Sequence, residues 1–290
     1  MNNKVTVIGL GPMGQALASA FMKKGYDTNV WNRTIKKADS LKRQGAAVAN
    51  TAAKAISASP LVIICVLNYD AAEQILHSAA DKLSGKTVVN LTADSPERAR
   101  SMSEWVQEQG ATYLDGAIMS PTPTIGTDEA VVLYSGPEEV FTDHEQTLKN
   151  LGGTPAYLGS DYGRAAAFDV ALLDFFWTSM SGYVHSLAIA GKENISAREF
   201  APFAQGIVDI LPNILVGLAQ EVDEEKYSQD DSSLISNVAS MNHIIEVSES
   251  HRIDASVLHS AKAWAQRAID QGYGKESFAR VTDILKRSSI

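Results

Sequence analysis

The sequence predicts two parts: an α/β domain wound about a parallel sheet, then an all-helical region, joined by one long helix. Three observations carry this. Short β-branched runs alternate with Ala-rich amphipathic stretches through the first third, the pattern of βαβ units. After Gly163 no convincing strand follows, only helical segments. The length of 290 residues, about twice that of a common domain, and a 45% hydrophobic content suffice for two packed cores.

Taken in order, residues 4–8 (KVTVI) read as the first strand, 9–14 (GLGPMG) as a turn and 13–24 as a helix. Residues 26–31 form a second strand, 34–43 a basic helix and 45–49 a short strand. The unbroken apolar run 61–67 (LVIICVL) suits a strand buried on both faces. Further strands are expected at 87–91, 112–115, 130–134 and 156–158. Ser95-Pro96-Glu97 announces the helix after the first of these, because proline is preorganised for the first helical position. Beyond Gly163, breaks are expected near 191–196, at Pro202, at Pro212 and near 251–254. The expected division is therefore 1–162, a connecting helix over 163–192, and 193–290.

Residues 165–190 hold two Asp and no Lys or Arg, long enough for a membrane span. Two carboxylates in that apolar body are costly in lipid, so the expectation is a helix buried by neighbours on all sides, including a second subunit. A homodimer is therefore expected. The net charge of −9 disfavours nucleic acid and anionic membranes as partners. The lone Cys65 cannot close an intramolecular disulfide, and Met1-Asn2-Asn3-Lys4 leads into a strand without a secretory apolar run. A cytoplasmic location is expected.

Gly9-Leu10-Gly11-Pro12-Met13-Gly14 lies between a strand and a helix, as the dinucleotide loop of a Rossmann domain requires. Gly9 permits the turn, Gly11 the approach of a pyrophosphate, and Gly14 the close packing of helix on strand. The helix N-terminus then offers N–H groups to the phosphates. Where an NAD-selective protein places an acid after the second strand, this chain has Asn32, then Arg33, Thr34 and Lys37. Arg33 and Lys37 suit a ribose 2′-phosphate, so NADP(H) is the expected cofactor. The alternative is a solvated basic helix with Lys36, Lys42 and Arg43. Val66, Leu67, Asn90 and Thr92 fall at strand ends along the carboxyl edge of the sheet, where such a ligand lies. Cys65 reads as a small apolar residue.

This plan resembles the β-hydroxyacid dehydrogenase and 6-phosphogluconate dehydrogenase superfamily over nearly the whole chain. Two features depart from it. The position of the usual Lys is Ala167, with no Lys between Lys149 and Lys192, and Asp115-Gly116-Ala117-Ile118-Met119-Ser120-Pro121 replaces the usual substrate loop. As a set, GLGPMG, Asn32-Arg33-Thr34 with Lys37, Asn90-Leu91-Thr92, Asp115 to Met119 and Phe168-Asp169-Val170-Ala171-Leu172-Leu173-Asp174 resemble the imine reductase and reductive aminase branch. That resemblance implies reduction of C=N bonds with NADPH, a homodimer with exchanged C-terminal domains, and a functional acid at Asp169. Trp177 and Ala93 stand where many members carry Tyr and a polar residue.

Imine reduction delivers a hydride to carbon and a proton to nitrogen, and the second must come through the protein or ride on the substrate. By helical periodicity Asp169, Leu173, Phe176 and Met180 share one face with Trp177 on its flank, so one carboxyl ends an apolar stripe. Buried and protonated it donates; ionised it stabilises an iminium. The alternative is an acid anchoring the first helical turn. Asp174 points about 140° away and reads as a polar partner at a domain or subunit contact. Ala93, Met119, Ser120, Leu173, Phe176, Trp177, Met180 and Met241 are the expected substrate-pocket residues, with Asn242 and His243 nearby in an exchanged dimer. His243 and His251 have no partner at metal-ligand spacing, so no metal is expected. The acidic run 221–225 reads as a solvated helix face. An atypical hydroxyacid or aldehyde reductase, and a non-catalytic NADP(H) sensor, remain open on sequence alone.

Overall fold

The structure, a computed structural model, describes residues 3–229 and 232–287. Met1 and Asn2, part of the reading about a secretory run, lie outside the described residues. The described residues form two compact units that divide between Asp174 and Phe175.

The first unit is built on β1 (Lys4–Ile8), α1 (Pro12–Lys23), β2 (Asp27–Trp31), α2 (Asp39–Arg43), β3 (Ala47–Val48), α3 (Ala52–Ala58) and β4 (Leu61–Ile64). It continues through α4 (Tyr69–His77), β5 (Thr87–Asn90), α5 (Pro96–Glu108), β6 (Thr112–Ile118), β7 (Val132–Ser135), α6 (Glu138–Leu148) and β8 (Ala156–Tyr157). The strands make one sheet in the order β3-β2-β1-β4-β5-β6-β7-β8. All neighbours are parallel except β6 and β7. The chain order reverses between β1 and β4, which opens the crevice where ligands of such sheets bind. Apolar side chains pack on both faces, Val5, Val7 and Ile63 on one and Ile8, Val62 and Ile64 on the other, as the near-continuous apolar strands require.

Four sequence expectations are corrected. The strand expected over 61–67 stops at Ile64, because the Val66 N–H bonds the Thr92 hydroxyl (3.2 Å) and leaves the ladder. The helix expected over 34–43 opens as a tight 3₁₀ turn, Ile35–Ala38, with Lys37 N–H bonded to the Thr34 carbonyl (3.1 Å) and no side-chain cap at Thr34. β6 runs three residues beyond its expected end, since Gly116, Ala117 and Ile118 pair with Tyr134, Leu133 and Val132 of the antiparallel neighbour. The breaks expected at Pro202 and Pro212 do not occur. α7 (Arg164–Lys192) is followed by α8 (Ala197–Glu224), which continues through both prolines. Each proline removes one bond of the ladder yet keeps a helical φ, and propagation from formed turns on either side is inexpensive.

The chain closes with α9 (Leu234–Ser250), α10 (Ser256–Ala268) and α11 (Val281–Lys286). Leu234, Val238, Ala265, Ala268, Val281 and Ile284 form a small core among them. Glu221 is not simply solvated: it accepts bonds from the Ser277 hydroxyl and from Ser228 N–H. By contrast α8 buries none of its side chains, Phe203 being 75% exposed, and it is long and apolar enough to cross a membrane by length and composition. The stretch flagged from sequence, 165–190, is instead the body of α7.

The first turn of α7 is held by the sheet and by the chain just before it. Arg164 N–H bonds the Asp161 carbonyl (3.0 Å), Ala165 N–H the Ser135 hydroxyl (2.9 Å), Ala166 N–H the Asp115 carboxyl, and Ala167 N–H the Gly163 carbonyl (2.9 Å). With Gly163 N–H, which also goes to Asp161, the four donors that have no partner within the helix are satisfied; Ala167 to Gly163 is the first bond of the helix itself. Asp161 also accepts Gly163 N–H (3.0 Å) and a two-pronged pair from Arg100 (2.9 and 2.8 Å). Glycine is required at 163, where a Cβ would lie 2.7 Å from the Arg100 guanidinium carbon and 2.8 Å from the Pro96 carbonyl oxygen.

The Arg100 partnership holds the Asp161 carboxyl down to about 2, below its ordinary value, so its contribution is present above about pH 4 and is lost as pH falls through about 2. Arg100→Ala is expected to lower Tm by no more than about 2 °C at pH 7, the pair being half-exposed. The gap from wild type should close on acidification. A gap constant to pH 2 in thermal melts would refute this account.

Candidate active site

The loop between β1 and α1 is shaped by two glycines and left open at the third. Gly9 has φ +94°, and a Cβ there would sit 2.1 Å from the Cys65 carbonyl oxygen. A Cβ on Gly14 would sit 1.9 Å from the Gly9 carbonyl oxygen, so the helix can approach only without one. Above Gly11 nothing lies within 4 Å. The first turn of α1 has no side-chain cap and no acid, and Pro12 fills its first position. Its N–H groups and positive helix end thus face a cradle of the right kind for a pyrophosphate. Leu10 is buried and Met13 packs half-buried against the sheet.

Asn32 fastens this loop: its side-chain oxygen accepts Leu10 N–H (2.9 Å), and its amide donates to the Thr34 carbonyl (3.0 Å). Beyond it Arg33, Lys36 and Lys37 are exposed, and among the described residues none of the three makes an ion pair. Three unneutralised cations at the end of β2, with no acid at 32, fit a 2′-phosphate better than a bare ribose hydroxyl.

Along the carboxyl edge, Asn90 accepts Thr92 N–H (3.1 Å) and donates to the Tyr113 hydroxyl (3.1 Å), while the Thr92 hydroxyl accepts Val66 N–H. Val66, Asn90 and Thr92 therefore form one bonded rim. Leu67, past the end of β4, is 92% exposed and available to a ligand. Burial pushes the Cys65 thiol up to about 11, so it stays uncharged.

Asp169 lies in the second turn of α7 and is 5% exposed, whereas Phe168 and Val170 beside it are exposed. Burial raises its carboxyl above the ordinary range. It is not the anchor of the first turn, whose N–H groups are taken by Asp161, Ser135 and Asp115. Asp115, on β6, was legible in sequence only as part of a motif. It accepts the Tyr69 hydroxyl (2.5 Å), the Tyr113 hydroxyl (3.3 Å) and Ala166 N–H, and it feels the charge of Asp169. The available signal was a lone acid inside an apolar strand, two residues from Tyr113 and hence on the same face.

Of the expected pocket residues in the first unit, Ala93 and Leu173 are exposed and Met119 packs against Ala117, Leu133 and Ala165. The Ser120 hydroxyl accepts Val131 N–H (2.8 Å), tying the loop after β6 to the start of β7. In the second unit Phe176, Trp177 and Met180 are exposed, and Met241 is half-buried. There Trp177, Met180, Val184, His185 and Val257 border an apolar cavity of about 590 Å³. Asp174 and His243 are both exposed.

Residues 161–287 match the family model described as NADPH-dependent reductive aminase-like, C-terminal domain, and residues 4–159 that of the NAD binding domain of 6-phosphogluconate dehydrogenase. An NADPH-dependent reductive aminase of Aspergillus oryzae is 35% identical, the alignment covering 99% of this chain and 98% of that protein. Among solved structures, an imine reductase from Bacillus cereus aligns with TM-score 0.89 at 36% identity, covering 98% of this chain and 99% of the other. A reductive aminase from Aspergillus terreus, in complex with NADPH and ethyl levulinate, aligns with TM-score 0.94 at 35% identity over 98% of this chain and 100% of its own.

The cradle geometry separates two glycine substitutions. Gly11→Ala should keep the wild-type Tm and weaken dinucleotide affinity at least about tenfold, because the new methyl occupies phosphate space. Gly14→Ala should lower Tm by several degrees through backbone overlap. Equal Tm losses in the two variants would contradict the geometry.

Proposed function

Because the chain belongs to the family of NADPH-dependent imine reductases and reductive aminases, we propose how its own residues share the reduction of a C=N bond. The chain is an NADPH-dependent imine reductase. NADPH, when bound, supplies a hydride to the imine carbon. The cradle of Gly9, Leu10, Gly11, Pro12, Met13 and Gly14 with the α1 N-terminus would hold its pyrophosphate, and Arg33 and Lys37 would hold the 2′-phosphate. Asn32 and Thr34 shape that corner, while Val66, Leu67, Asn90 and Thr92 make the rim that would face the bound cofactor.

Asp169 provides the proton for the nitrogen. The observation that carries this is a nearly fully buried carboxyl, raised by that burial, in the second turn of α7. A protonated Asp169 donates to a neutral imine; if the substrate enters as an iminium, the ionised form stabilises the cation. Ala93, Met119, Ser120 and Leu173 of the first unit, and Phe176, Trp177, Met180 and Met241 of the second, are the side chains assigned to the substrate, a mostly apolar set that favours a cyclic or otherwise apolar imine. Exposed apolar side chains on α7 and α8, among them Phe176, Trp177, Phe203 and Val216, support a homodimer with exchanged C-terminal parts, since such surface is not left to water. The boundaries 1–162, 163–192 and 193–290 describe the functional division, and the single thiol suits a cytoplasmic setting.

NADPH oxidation should proceed with a five- or six-membered cyclic imine and not with a keto acid run alongside; the reverse preference would overturn the reading. Asp169→Asn should lose at least about a hundredfold in kcat while NADPH affinity stays within about twofold. Undiminished turnover removes Asp169 from the chemistry. Arg33→Ala should raise KM for NADPH about tenfold or more with little change for NADH. Equal effects on both cofactors would displace Arg33 from the 2′-phosphate.

A further inference from the structure

A buried polar chain runs through the first unit to the start of α7. Registered rungs place Ile8, Ile64, Asn90, Asp115 and Ser135 level across five adjacent strands, at the carboxyl ends of β1, β4 and β5. The last two turn polar groups to α7: Ser135 receives Ala165 N–H and Asp115 receives Ala166 N–H. Asp115 is almost fully buried, as are Tyr69 and Tyr113, whose hydroxyls both donate to its Oδ1. Tyr113 in turn accepts from Asn90. One turn further along α7 stands Asp169, close enough for its charge to act on Asp115.

We propose that Asp115 is a positioning residue for imine reduction: it anchors the helix start that carries Asp169 and, as the second carboxyl of a buried pair, sets the pH range over which Asp169 can give a proton. This rests on the reading of Asp169 as donor. Two carboxyls in one water-poor neighbourhood do not both ionise freely, and they titrate as a unit. Burial drives Asp115 up, the two tyrosine hydroxyls and Ala166 N–H pull it back, and the Asp169 charge drives it up again, leaving it pushed up to about 7. Near neutrality one proton therefore serves both groups. In turnover the carboxyl O–H bond breaks, an N–H bond forms at the substrate nitrogen, and water restores the proton afterwards.

The other groups facing the pair come from α4, α5, β6 and the segment before α7. Tyr69 lies on α4, with the Arg98 guanidinium of α5 over its ring at 5.6 Å. Arg98 is itself matched by Asp70 (2.6 Å), Glu73 (3.0 Å) and Asp94 (3.2 Å), so no unpaired cation is left to hold Asp115 ionised from that side. Tyr113 is on β6, and Tyr162, before α7, packs on its ring at 6.0 Å.

The signature is a pair of opposite shifts. Turnover that needs a protonated pair falls as pH rises through the pair's titration. Asp115→Asn removes the neighbouring charge, so Asp169 loses its proton sooner and the alkaline limb of kcat should move down by about one pH unit or more. Tyr69→Phe removes a donor to the Asp115 carboxylate, so the pair keeps its proton longer and the limb should move up. The same cyclic imine is used throughout, so its own titration is common to all variants. Limbs unmoved from wild type, or a pH-independent loss in both variants, overturn the proposal. Infrared titration of protonated carboxyls in the full chain with NADP+ gives a second readout. Asp115 should titrate near neutrality in wild type and lower in Asp169→Asn. If Asp169→Asn keeps full turnover while that coupled titration is present, the donor assignment fails and the pairing stands; if the coupling is absent, the pairing itself fails.

Discussion

The constraint on which the catalytic side of the first unit depends is the need to satisfy the buried N-terminus of α7. A helix begins with four N–H groups that have no partner within it, and each left bare in a packed interior would cost about 1 to 3 kcal/mol. Asp161 meets two of them locally, through its carbonyl and its carboxyl, and Ser135 and Asp115 meet the other two from the sheet. Those last two are cross-strand partners, brought opposite one another because β7 runs against β6. The one antiparallel junction is thus what supplies neighbouring polar side chains to a single helical turn. Close packing at the junction leaves no room for a Cβ on Gly116, which would lie 2.6 Å from Leu91.

The same unit treats two helix starts in opposite ways. At α1 no side chain caps the turn, no acid is nearby, and the space above Gly11 is empty, so the positive end is kept for a ligand anion. At α7 the positive end is spent on the protein's own hydroxyl and carboxyl groups. Between these two ends run the bonded rim of Val66, Thr92 and Asn90 and then Tyr113, so the carboxyl edge of the sheet and the buried Asp115 belong to one continuous hydrogen-bonded framework. Such low-dielectric networks are stiff when every member is satisfied, which suits a reaction needing its two reacting atoms aligned.

Much of this was legible in the residues wherever the signal was local. GLGPMG, the Ser95-Pro96 helix start and the apolar strands reported themselves through spacing alone, and Ser95 does accept Arg98 N–H at its helix start (3.4 Å). What escaped was decided by partners distant in sequence. Thr92, 26 residues away, ends β4 by taking the Val66 N–H, and β7 prolongs β6 beyond its expected end. Asp115 displayed only its residue type; its role depends on Tyr69, 46 residues earlier, and on a helix that starts 49 residues later. Proline at 202 and 212 misled because its penalty is local while the helix around it is not.

The order of these parts along the chain has a consequence for how the protein is made. Asp115, Ser135 and Asp161 have all left the ribosome before the first residue of α7 appears. Because synthesis is slow relative to the closure of a small α/β unit, that helix meets a finished sheet edge and is nucleated at one end by groups already in place. The apolar flanks of α7 and α8 emerge later and are greasy from the moment they form. The nascent chain is therefore secure where the sheet has closed and exposed where these helices follow it, and its vulnerable interval begins as α7 and α8 emerge.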